Sequence, residues 1–137
     1  MDHSKEEVIN PARCAALLRT QTVGRIIYDD EVGAQVRPVN YVMRDNEIRV
    51  RSDRRFDDAS RVVFEIDHTD TIGEEGWSVI VDGRAFSTPL EAVDDDVPQP
   101  WASGDKAWVT TIRIDNIAGR WVKAPHNTSS PDDRGYS

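Results

Sequence analysis

The clearest pattern in the chain is strict alternation. From Trp77 to Ala85, the residues Trp77, Val79, Val81 and Ala85 fall on one face, and Ser78, Asp82 and Arg84 on the other. A period of two is the signature of a strand with one buried face. The same pattern recurs along the chain and predicts six strands: Val23–Tyr28, Gln35–Met43, Glu47–Ser52, Arg61–Asp67, Trp77–Ser87 and Trp108–Ile117. The last extends toward Trp121 through a bend at Gly119. Ile48 and Val50 lie opposite Arg49 and Arg51, and Val62, Phe64 and Ile66 share a face. Asp29–Gly33 and Asp45-Asn46 supply turns. Short strands separated by turn residues, with few helices, predict a barrel or a sandwich.

Helical signals are sparse. Asn10-Pro11 is a start signal, because Asn caps free amides and Pro suits the first helical position. Cys14, Leu17 and Leu18 then follow at helical spacing, predicting a helix that ends near Gln21. A helical turn or short helix is expected over Asp53–Ser60, and another near Pro89–Val93. Residues 1–9 form a polar lead, 10–123 one domain, and 124–137 a flexible tail with almost no apolar anchor. Thr88–Lys106 is an acidic connection containing Asp94-Asp95-Asp96.

Composition narrows the function classes. At 137 residues the chain suits a single domain. Its net charge of −8 disfavours nucleic acid and anionic membrane surfaces as partners. No apolar run approaches the roughly 20 residues that span a bilayer, and the N-terminus lacks the apolar centre of a signal peptide. A cytoplasmic protein is expected. Hydrophobic residues make up 38% of the chain, which is low for a compact monomer; either part is disordered or the core is completed in a homodimer. Cys14 has no internal disulfide partner and sits on the helix's apolar stripe. His3, His68 and His126 lack ligand spacing, so no metal site is expected.

Three constellations could carry chemistry. Arg49, Arg51, Arg54, Arg55 and Arg61 crowd a short stretch of an acidic chain. Around Arg51-Ser52, guanidinium forks, a hydroxyl and free amides would make an anion site, most naturally for phosphate. The competing reading is a solvated face paired with Asp57, Asp58 and Glu65. The second is Pro38-Val39-Asn40-Tyr41, where Asn40 shares a face with Val36, Pro38 and Val42. A buried amide there needs a partner, either a ligand or neighbouring backbone. Pro38 cannot donate to a ladder, so its strand has an edge or a bulge there. The third is Trp77-Ser78, which could cover and hydrogen-bond a bound ring, or simply be core and filler. No spacing singles out a catalytic acid, base or nucleophile.

Six segments in order resemble one family. They are Val23-Gly24-Arg25-Ile26, Pro38-Val39-Asn40-Tyr41, Ile48-Arg49-Val50-Arg51-Ser52, Val63-Phe64-Glu65-Ile66-Asp67, Gly76 to Ala85, and Ile112 to Arg120. Together they resemble the flavin-binding split-barrel family that includes pyridoxamine 5′-phosphate oxidase. The resemblance implies a mainly β fold with short helices (α+β), a six-stranded antiparallel split β-barrel. It also implies a homodimer holding flavin mononucleotide (FMN), or a deazaflavin, in a groove between subunits. Carried over, Arg51 and Ser52 match the phosphate-binding pair, Arg54 and Arg55 follow it, and Asn40 and Ser78 lie on the ring side. Asp53–Ser60 lacks the glycine and lysine that many relatives carry. Arg54 or Arg55 replaces that charge, or the phosphate site is degraded. The implied function is a flavin-dependent oxidoreductase acting on a small molecule. The alternative is a non-catalytic carrier of a flavin, deazaflavin, haem or apolar ligand.

Overall fold

A computed structural model describes residues 5–93, 97–98 and 106–125. The element order is β1 (Lys5–Ile9), α1 (Pro11–Leu18), β2 (Val23–Asp29), β3 (Ala34–Arg44), β4 (Glu47–Ser52), β5 (Ser60–Asp70), β6 (Glu75–Pro89), a 3-10 turn (Leu90–Ala92) and β7 (Trp108–Lys123). All pairings are antiparallel. The strands run β1-β7-β4-β3-β2-β5-β6, and β6 pairs back onto β7. Six strands therefore close a ring, the barrel that the family resemblance implies. The seventh, β1, lies outside that ring and extends one edge of β7.

β7 makes the closure possible. One edge pairs with β6 from Trp108 to Lys123. The other pairs with β4 through Trp108–Arg113 and with β1 through Gly119–Lys123. The weakest seam lies opposite, where β2 and β5 share the register Arg25↔Glu65 to Ile27↔Val63.

The inward faces fill one core. Ile48, Val50, Phe64, Ile66, Val79, Val81, Ala85 and Ile112 are fully buried, together with Cys14 and Leu18 of α1. α1 seals one end of the barrel. Asn10 caps it by accepting from the Arg13 amide at 2.9 Å. At its other end the Tyr41 hydroxyl donates to the Leu18 carbonyl at 2.6 Å, which satisfies a buried helix carbonyl. Burial alone pushes the Tyr41 phenol upward.

Two glycines permit close approach. A Cβ on Gly119 would stand 2.6 Å from Cys14 Sγ, so this glycine lets α1 lie on β7. β7 continues through Gly119 to Lys123, with no break there. A Cβ on Gly24 would overlap the Phe64 ring, which packs edge-on to Tyr41 at 4.9 Å.

Four expectations need correction. Lys5–Ile9, within the expected polar lead, is strand β1. α1 stops at Leu18, short of Gln21, where the Arg19 amide turns back to Ala16. Asp53–Ser60 holds no helix. Its last turn is closed by Ser60, whose amide and hydroxyl both donate to the Asp57 carbonyl, with Ala59 at φ 61°. Asn40 does not sit on a buried face, because Tyr41 takes the inward position and Val36 is 55% exposed. Asp94-Asp95-Asp96, most of the expected tail, His3 and His126 lie outside the described residues.

Replacing Gly24 with Ala should force Phe64 out of its packing and cost about 1–3 kcal/mol. Urea unfolding measures this as a lower midpoint; an unchanged midpoint would show that Phe64 is not pinned there.

Candidate functional site

The basic cluster is resolved by the strand ends. β4 stops at Ser52 against Trp108, the first residue of β7. That pairing brings Lys106 back beside Arg51. Arg51 closes a fork on the Lys106 carbonyl, donating from Nε at 3.0 Å and Nη2 at 2.8 Å. Around this junction lies a cavity of about 240 Å³. Four cations line it: Arg37, Arg51, Arg54 and Lys106, with Asp53 as the acidic member. Arg54 is held over Tyr28 at 4.7 Å and over Phe56 at 5.2 Å. The aromatic faces hold its charge at the mouth of the barrel.

Hydroxyl groups hold the loop beside that mouth. Ser52 Oγ donates to the Arg54 carbonyl at 2.7 Å and lies 3.2 Å from Thr110 Oγ1. Thr110 Oγ1 is 2.9 Å from Ser87 Oγ, which accepts from the Phe56 amide at 2.9 Å. Each hydroxyl has one hydrogen. Ser52 spends its hydrogen on Arg54, so Thr110 donates to Ser52 and Ser87 donates to Thr110. Thr110 is fully buried and satisfied by this chain. Ser52 therefore acts first as a latch for residues 53–56.

The other candidates lie elsewhere. Arg55 is not part of the cavity lining; it pairs with Asp57 at 3.3 Å and stands 5.9 Å from the Trp108 ring centre. Arg61 approaches Asp82 at 3.9 Å. Asn40 and Ser78 project from the outer face of the sheet. Asn40 is opposite Val23 on β2, and Ser78 is opposite Asp67 on β5 and Arg120 on β7. Between them Arg25 bonds both Glu65 and Asp67 at 2.9 Å. Trp77 turns to the inner face at the far end of β6, opposite Trp121. The chain thus gathers Arg51, Ser52 and Arg54, and separates them from Trp77, while Asn40 and Ser78 occupy the outside.

Arg37 and Lys106 were not among the expected residues. Arg37 pairs with Ile26 and shares the inward face with Val39 and Tyr41, so a cation in an apolar alternation was the available signal. Lys106 gave none, because only ring closure brings it to Arg51. Pro38 meets its expectation: β3 pairs with β4 only from Tyr41 onward, so Pro38 has a ladder partner on one side alone. Among the described residues, no group of three or more His, Cys, Asp or Glu could hold a metal ion.

The Arg25 cluster makes a pH prediction. Burial first, then the hydrogen bond to Asp67, holds the Glu65 carboxyl above the usual carboxylate range, and Arg25 opposes without cancelling this. A raised carboxyl binds its proton more tightly in the fold. The stability it contributes is present below its unfolded range and is lost as pH rises through the raised value. Glu65→Gln cannot titrate and keeps an acceptor for Arg25. Its melting temperature relative to the parent should rise as pH is raised through and above the ordinary carboxylate range. A falling difference would contradict the sign.

Comparison with known proteins supplies the wider context. No curated protein matches the sequence. Among solved structures, the chain is similar to a candidate pyridoxamine 5′-phosphate oxidase from Corynebacterium glutamicum, at 20% identity and TM-score 0.68, covering 89% of this chain and 96% of that one. It is similar to the FAD binding protein from Mycobacterium smegmatis, at 24% identity and TM-score 0.63, covering 85% and 98%. A FAD-binding protein from Mesorhizobium loti follows, at 18% identity and TM-score 0.65, covering 88% and 98%. At such identities these likenesses establish the fold. The family profile described as pyridoxamine 5′-phosphate oxidase matches residues 10–131. The chain belongs to the pyridoxamine 5′-phosphate oxidase family.

Proposed function

We propose that this protein binds a flavin nucleotide, FMN first among them, and works as a flavin-dependent oxidoreductase on a small molecule. The observation that carries this reading is the cationic mouth of the barrel. Four cations converge there in a chain of net charge −8, which suits a phosphate far better than a neutral ligand. Arg51 would orient the site through Lys106, while Arg54 and Lys106 would meet the phosphate. Arg37 would add charge from β3. A flavin, once bound, supplies the electron transfer, and the protein supplies binding, orientation and electrostatics. Two of the similar structures are FAD-binding proteins, which supports a flavin nucleotide without choosing between FMN and FAD.

The cavity is below the roughly 300–1,000 Å³ that usually encloses a whole ligand. It would take the phosphate end, leaving the ring on the outside of the protomer. A second subunit is the natural cover for that ring, so we place the protein as a homodimer. Val36 and Ile80, 55% and 44% exposed, lie with Asn40 and Ser78 on the outer face and give a partner apolar surface. A cytoplasmic location belongs to this proposal. No helix among the described residues is long and apolar enough to cross a membrane.

One observation favours the carrier alternative. The Ser52 hydrogen and two Arg51 donors are already engaged within the protein, and no described residue is poised as an acid or base. A carrier for flavin, deazaflavin or haem needs only the groove.

The test compares FMN with riboflavin. FMN should bind about ten- to a hundredfold more tightly, and Arg54→Ala should remove most of that advantage. Equal affinities would show that phosphate is not held at the mouth. Anaerobic reduction of the bound flavin by a nicotinamide donor separates enzyme from carrier: reduction followed by turnover with a quinone supports the enzyme, and no reduction supports the carrier. Light scattering should give twice the chain mass; a monomer at working concentration would remove the proposed cover for the ring.

A further inference from the structure

The far end of the barrel holds a second cavity, of about 380 Å³, lined by Glu7, Ile9, Arg13, Leu17, Trp77 and Trp121 among others. It is separate from the cationic mouth. The mouth lies where β7 begins, at Trp108, whereas this cavity lies where β7 ends, at Trp121.

Register explains its walls. Trp77 on β6 is directly opposite Trp121 on β7, and Trp121 is directly opposite Glu7 on β1. Paired residues share a face, so two indoles and a carboxylate form one row across three strands. His68 continues the row on β5, its ring tilted 31° to Trp77 at 6.2 Å. The next row inward contains Ile9, Gly119 and Val79, which closes the floor. α1 stands over this surface because Gly119 admits Cys14, and it contributes Leu17 and Arg13 as the facing wall. Among the described residues, the side chains of Glu7 and Arg13 make no hydrogen bond or ion pair.

The geometry points to a second small-molecule site, for a planar aromatic ligand that carries both a carboxylate and an amine. Two indoles line the cavity, Trp77 and Trp121, and either offers a face on which an aromatic ring stacks. Arg13 on the helix wall presents a fork to a carboxylate. Glu7 on the strand wall accepts from an ammonium, which also gains from the indole faces. Opposite charges on facing walls suit a zwitterion better than a simple anion or cation. A volume of this size lies within the usual range for small-molecule pockets. This site does not depend on the flavin reading.

Calorimetric titration of the full chain with three probes tests it: L-tryptophan, tryptamine and indole-3-propionate. L-tryptophan should bind saturably and more tightly than either partial analogue. Arg13→Gln should weaken L-tryptophan and indole-3-propionate about tenfold or more and leave tryptamine nearly unchanged. Glu7→Gln should weaken L-tryptophan and tryptamine by a similar factor and spare indole-3-propionate. Both residues are exposed, so these variants should fold even if Trp121→Ala does not. Absence of saturable heat with all three probes would overturn the site. So would charge variants that weaken every probe equally. Saturating FMN should leave L-tryptophan affinity unchanged, and competition between them would overturn the claim that the sites are separate.

Discussion

Every feature of this molecule depends on β7 being hydrogen-bonded along both edges. Without its pairing to β4 the sheet would remain open, and Lys106 would not meet Arg51. Without its pairing to β6, Trp77 and Trp121 would not line one cavity. Without β1 on its outer half, the far cavity would lose a wall. Backbone pairing of one long strand thus creates two separate places where side chains converge, at opposite ends of the same core.

The two ends are built differently. At the mouth, polar groups are tied to one another: the Ser87–Thr110–Ser52 chain holds the loop whose Arg54 is placed over Tyr28 and Phe56. A buried network of this kind is rigid only while every member is satisfied. It fixes where positive charge stands without itself needing a ligand. At the far end, the surface is aromatic and the charged groups are uncommitted. The outer face between them is dominated by Arg25 with Glu65 and Asp67, a cluster whose charge depends on how far Glu65 is shielded from water.

The barrel was largely legible in the sequence, because each ring strand carries a run of inward apolar residues at a period of two. β4 was legible to the residue, since Ile48 and Val50 alternate with Arg49 and Arg51 between clear turn signals. β1 was not, because only Ile9 of its five residues packs against the core, and Lys5, Glu6 and Glu7 form a run of charge that hides the alternation. The site was legible in part. Arg51, Ser52 and Arg54 adjoin in sequence and adjoin in space. Arg55, next to them, turns to Asp57 and Trp108, a choice made by the loop rather than by composition. Ser87 and Thr110 carry no signal in the sequence; the β6–β7 register sets them opposite each other. The Trp77–Trp121 pair had the same origin: partners far apart along the chain emerge only from the strand register.

The most direct measurement is a crystal structure of the protein with FMN. The account predicts the phosphate at the mouth of the barrel, its oxygens about 2.7–3.2 Å from donors of Arg54 and Lys106, with Arg51 still forked on the Lys106 carbonyl. A phosphate bound elsewhere on the molecule, with the mouth holding none of the cofactor, would contradict it.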